Sequence, residues 1–125
     1  MKTEDTFFRD LLATVPELAA VYKDHIEFNE ELLGYLALGD MSQHLLRAMQ
    51  AGAPEQETLS RYCCFLEEAF DGYGATVHDM IRQSFLEFVE GLAVEAPELY
   101  PSVYLMLGPN LRSRILIPAP KDIGT

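Results

Sequence analysis

Apolar residues recur every three or four positions along most of this chain, the period of helices that pack on one face. Phe7, Phe8, Leu11 and Leu12 draw such a stripe over residues 4–14. Pro16 opens a second set of turns through Tyr22, with proline at the first helical position and Glu17 where the helix dipole favours an acid. Residues 27–39 are ambiguous. Ile26, Phe28, Leu32, Leu33, Leu36 and Leu38 fit a helix or an irregular stretch, and Gly34 and Gly39 interrupt the pattern. Asp40 is expected to cap a helix over residues 40–51, because its carboxylate can accept the free N–H groups of a first turn; Leu45, Leu46 and Met49 form the buried stripe.

A stronger helix starts at Pro54 and runs to residue 70, with Leu59, Tyr62, Cys63, Leu66, Ala69 and Phe70 on one face. The turn Asp71-Gly72-Tyr73-Gly74 leads to a helix over residues 75–91, whose stripe of Val77, Ile81, Ser84, Phe85, Phe88 and Leu92 is widened by Met80, Leu86 and Val89. That breadth marks it as the most buried helix. A shorter helix follows Pro97, and residues 111–116 form a last one. No segment sustains the alternation of a strand with hairpin signals; Ser113–Ile117 is the sole contender. The expected fold is all-α: a compact bundle of about five to six helices with antiparallel hairpins, one domain over residues 1–117 and a loose tail over 118–125.

Composition agrees with a globular domain, at 49% hydrophobic and 23% charged residues in a chain of 125. Charge changes the picture. Twenty acidic and nine basic side chains give a net charge of −11, and the whole excess lies in residues 1–91. Such a surface repels nucleic acids and anionic membranes, whose binding depends on Lys and Arg, and it speeds encounter with a basic protein. The alternative is an acidic surface that serves solubility alone. The acidic start Met1-Lys2-Thr3-Glu4-Asp5 carries no secretory signal, no apolar run is long enough to span a membrane, and the two cysteines, Cys63 and Cys64, are neighbours poorly placed for a mutual disulfide. A reduced, cytoplasmic protein is expected.

The region RYCCFLEEAFDGYGATVHDMIRQSFLEFVEG contains two near copies of one phrase, Phe65-Leu66-Glu67-Glu68 and Phe85-Leu86-Glu87-Phe88, together with His78 and both cysteines. Carboxylate-bridged metal bundles need Glu-x-x-His, and the residues three before His25, His44 and His78 are Tyr22, Met41 and Ala75. Cys-x-x-Cys, His-x-x-x-His and the glycine-rich phosphate loops are missing too, so no metal or cofactor is implied. Acidic neighbours of Cys63 and Cys64 would raise their pKa values and disfavour a thiolate nucleophile. His78 and Asp79 are adjacent on a helix and do not face each other. Glu67, Glu68, Glu87 and Glu90 read as solvated carboxylates on wet helix faces.

The ordered phrases Leu33-Gly34-Tyr35-Leu36-Ala37-Leu38-Gly39-Asp40, Phe65-Leu66-Glu67, Ser84-Phe85-Leu86-Glu87 and Met106-Leu107-Gly108-Pro109-Asn110-Leu111-Arg112 resemble a family of small bacterial helical domains of unknown function. The resemblance spans about residues 5–116 and implies an all-helical fold with no established catalytic residues. Members of that family resemble immunity or accessory proteins of bacterial toxin systems. The expected function is a non-enzymatic, acidic protein-binding module, an immunity protein that covers the active site of a basic, nuclease-type toxin. Glu27, Glu30, Glu31, Tyr35 and Asp40 form the first candidate surface, and Glu67, Glu68, Asp71 and Tyr73 the second, with Tyr100 and Tyr104 as further aromatic candidates. A helical accessory protein that associates with itself is the rival reading, and an enzyme assembled from His78, Asp79 and the Phe-Leu-Glu carboxylates is the more distant one.

Overall fold

The computed structural model describes residues 4–52 and 56–120 and is all-helical. Helix α1 covers Glu4–Thr14; a 3₁₀ turn, Pro16–Leu18, leads into α2, Ala19–Asn29. Helices α3 (Gly34–Gln50) and α4 (Gln56–Gly72) follow. Then α5 (Ala75–Ile81) passes through a π turn, Arg82–Leu86, directly into α6 (Glu87–Glu95). Two short helices, α7 (Tyr100–Met106) and α8 (Pro109–Ser113), close the domain.

The apolar stripes account for the packing. Phe7, Phe8 and Leu11 of α1 are fully buried, and the Phe7 ring meets Phe8 edge-on at 5.1 Å, Phe65 at 5.4 Å and Tyr73 edge-on at 5.4 Å. Each such ring withdrawn from water contributes about 2 kcal/mol before entropy is counted. All six residues assigned to the α4 stripe are buried, from Leu59 through Phe70. Along the α5–α6 rod Val77, Met80, Ile81, Phe85, Leu86, Val89 and Leu92 all face the core, but Phe88 of the expected stripe is only partly buried. The expectation that this is the most buried helix is corrected, since the shorter α3 buries more residues. The π turn explains the breadth, because its wider winding re-registers the apolar face between Ile81 and Glu87. Inside the core, Tyr62 donates to Ser42 Oγ at 2.7 Å while that hydroxyl donates to the Leu38 carbonyl at 2.8 Å, so neither buried hydroxyl is left unpaired.

Two further expectations are corrected. Asp40 caps no helix: α3 begins six residues earlier, at Gly34, and runs straight through Gly39 and Asp40. The end of the Glu4 side chain lies against that start, so that a Cβ on Gly34 would fall 1.7 Å from Glu4 Oε1 and the carboxylate would have to swing aside. The Asp71-Gly72 turn comes later than its sequence implied, because α4 continues through Gly72. The expected start of that helix at Pro54, the first residues Met1-Lys2-Thr3, and 121–125 of the expected loose tail lie outside the described residues. Within the tail, the Pro118 carbonyl accepts a hydrogen bond from Tyr100 at 3.1 Å. No helix among the described residues is long and apolar enough to cross a membrane.

Candidate protein-binding surface

Helix α2 is the most lightly packed of the long helices, and His25 is its one fully buried residue. A buried imidazole must find partners. The Leu33 N–H, which can only donate, reaches His25 Nε2 at 3.1 Å, so Nδ1 carries the hydrogen and offers it to Asp40 Oδ2 at 3.3 Å. Asn29 Nδ2 donates to the His25 carbonyl at 2.9 Å. One ring therefore ties the end of α2, the first turn of α3 and the middle of α3 into a fixed corner. Glu30 ends α2 in the left-handed conformation, φ 64° and ψ 4°, and its N–H bonds the Ile26 carbonyl at 2.7 Å.

What this corner presents to solvent is acidic and aromatic together. Glu27, Glu30 and Glu31 are exposed, and between them Phe28 stands 88% exposed on the last turn of α2. Leu36, 56% exposed, follows on the first turns of α3. Tyr35 is half-turned outward, its hydroxyl donating to Asp79 Oδ2 at 2.7 Å; that hydrogen bond raises its pKa. Glu27, Glu30 and Glu31 of the first candidate group thus share the end of α2, whereas Tyr35 is engaged by Asp79 and Asp40 by His25. The sequence reading missed Phe28 as an outward residue because its neighbours fit a helical stripe equally well.

The second candidate group is divided between the fold and the surface. Glu67 is part-buried, and its two carboxylate oxygens accept the N–H groups of Asn110 at 2.8 Å and Leu111 at 3.0 Å. It caps α8 from another helix, because the residue at the cap position, Gly108, has no side chain to do so. A side chain at Gly108 would dislodge this cap, since a Cβ would come 2.4 Å from the Glu67 carboxyl carbon. Tyr73 is part-buried among Phe7 and Phe65, and its hydroxyl donates to Asp10, while burial first and that carboxylate second push its pKa up to about 12. Glu68 and Asp71 remain exposed. The expectation of solvated carboxylates is corrected for Glu67, and also for Glu90, which accepts from Arg82 at 3.0 Å and from the Leu116 N–H at 2.7 Å. Tyr100 is buried and meets the half-buried Tyr104 edge-on at 5.8 Å.

His78 donates through Nε2 to the Phe70 carbonyl at 2.7 Å, Asp79 is taken by Tyr35 and Gln83, and Glu87 lines a separate shallow groove of about 180 Å³ between α3 and α6. These groups do not converge on one point. Among the described residues no three His, Cys, Asp or Glu side chains come together to hold a metal ion. Burial, and secondarily Cys64, pushes the Cys63 thiol up, far from thiolate; the direction matches the sequence argument but its leading cause is desolvation.

Compared with known proteins, residues 8–117 match the model of a family described as domain of unknown function DUF7674. The chain belongs to that family, which covers nearly the whole of the helical bundle. No curated protein and no solved structure matches it.

Proposed function

We propose that this domain is a binding module for a basic protein, and that it docks through the α2–α3 corner. The finer reading is an immunity protein that occludes the active site of a nuclease-type toxin. One observation carries the proposal: Phe28 is held almost wholly in water between Glu27, Glu30 and Glu31, on a turn braced by a buried histidine. Interface centres are enriched in aromatic side chains surrounded by a polar rim, and Phe28 among these carboxylates has that composition. The surrounding carboxylates select a cationic partner and accelerate its approach, and a net charge of −11 extends that attraction beyond the contact itself.

Calorimetry and stopped-flow binding with the product of the neighbouring gene, where that product is basic, test the proposal. Phe28→Ala should weaken the complex by about thirtyfold, the loss of a ~2 kcal/mol anchor. Joint replacement of Glu27, Glu30 and Glu31 by Gln should slow association and flatten its dependence on salt. Inhibition of the partner's nuclease activity by the intact domain supports the toxin reading. Full affinity in both variants removes the corner from consideration, and no binding at low salt removes the basic partner.

A further inference from the structure

Phe70 at the end of α4, His78 and Arg82 on the α5–α6 rod, and Arg114 and Leu116 in the closing segment line an open pocket of about 480 Å³. This volume is in the range of small-ligand sites. Its chemistry contrasts with the rest of the molecule. Arg82 Nη2 donates to Glu90 Oε1 at 3.0 Å, but Nη1 is buried without a hydrogen-bond partner. A guanidinium keeps its charge and all its donors at any ordinary pH, so an unanswered buried N–H is costly and calls for an acceptor. Arg114 makes no ion pair among the described residues and lies over the Phe70 ring, 5.5 Å from its centroid. The His78 ring stacks on Phe70 with centroids 4.8 Å apart, giving the pocket an aromatic wall. Asp79 also lines it, with Oδ2 already accepting from Tyr35 and Gln83. Arg82 is moreover the first residue of the π turn, a distortion that recurs at functional positions in helices.

We propose that this pocket binds a small ligand through an oxyanion, a carboxylate or phosphate group held by Arg82 and Arg114, with its apolar body against Phe70 and His78. Forked guanidinium donors fit the paired oxygens of either group. A domain of net charge −11 offers an anion no long-range attraction, so recognition rests on these local contacts.

The test is an NMR titration of the full ¹⁵N-labelled chain with sodium benzoate, inorganic phosphate and, as the screening control, sodium chloride. Saturable shifts confined to Phe70, His78, Arg82 and Arg114 are expected for benzoate, for phosphate, or for both, and the probe that saturates assigns the oxyanion class. Arg114→Ala, at an exposed position, should weaken binding about tenfold, one charge-assisted contact. Arg82→Lys, which keeps the charge and removes the fork, should weaken it similarly with the helical spectrum intact. Shifts that grow linearly and match those of chloride overturn the proposal, as does saturable binding that neither variant alters.

Discussion

Removing the Glu67 carboxylate should unpin the closing helix, and the way it does so depends on Gly108. In the folded domain Glu67 supplies two charge-assisted hydrogen bonds to the otherwise open N–H groups of Asn110 and Leu111. Losing a helix cap of this kind costs about 2 kcal/mol, and in a domain of this size that lowers Tm by about 8 °C. Glu67→Gln keeps one acceptor and should lose roughly half as much. Gly108→Ala alone thrusts a methyl group to within 2.4 Å of the Glu67 carboxyl carbon, an overpacking that costs ~2 kcal/mol by displacing the same cap. Yet the backbone of Gly108, φ −82° and ψ 179°, suits alanine well. In a Glu67→Ala background the obstruction is gone, so the same Gly108→Ala change should be neutral or slightly stabilising through the unfolded chain. A double-mutant cycle by urea denaturation should therefore return a coupling of about 2 kcal/mol between two positions far apart in sequence. Equal costs of Gly108→Ala in both backgrounds would refute the interlock.

Three further outcomes follow from other contacts. Glu17 is held at a pKa of about 2, chiefly by the Arg61 guanidinium and then by its own backbone N–H. Its pairing therefore supports the fold fully above the ordinary carboxylate range near 4.5 and is lost as pH falls toward 2; Tm of an Arg61→Met variant should fall less steeply across that window, and added salt should narrow the difference because the pair is exposed. Glu30→Gly relieves a left-handed non-glycine residue and should raise stability by about 1 kcal/mol, measured by denaturant midpoint, while weakening any complex that uses the corner; an unchanged midpoint would count against strain at φ 64°. Native protein should present one thiol, Cys64, to a disulfide reagent and two only after unfolding, whereas rapid reaction of both would contradict the burial of Cys63.

Much of the fold was legible because its signals are local. The α1 and α4 stripes and the breadth of the α5–α6 face follow from period alone, and the residues they name are buried except Leu12 and Phe88, which are partly so. The start of α3 was misread because Asp40 is a good cap by type, whereas at the actual start the Leu33 N–H finds His25 and the Glu4 side chain lies beside Gly34, contacts across 8 and 30 positions that no window of periodicity contains. Likewise the phrases Phe-Leu-Glu and Met-Leu-Gly-Pro-Asn-Leu stood out in order, but nothing in their spacing announced that the glutamate of one completes the helix of the other. Of the candidate surface, its acids were visible in composition; its aromatic centre was not, because Phe28 sits at helical spacing from apolar neighbours and only the end of α2 turns it outward.

The interlock has a bearing on how a ribosome delivers this domain. Phe7 and Phe8 emerge early, but the rings that cover Phe7, Phe65 and Tyr73, arrive roughly sixty residues later, and the carboxylate beside them is not satisfied until Asn110 and Leu111 appear. Nascent chains shorter than that should carry bare aromatic surface and depend on holding factors, with closure deferred until the segment bearing Asn110 and Leu111 has emerged.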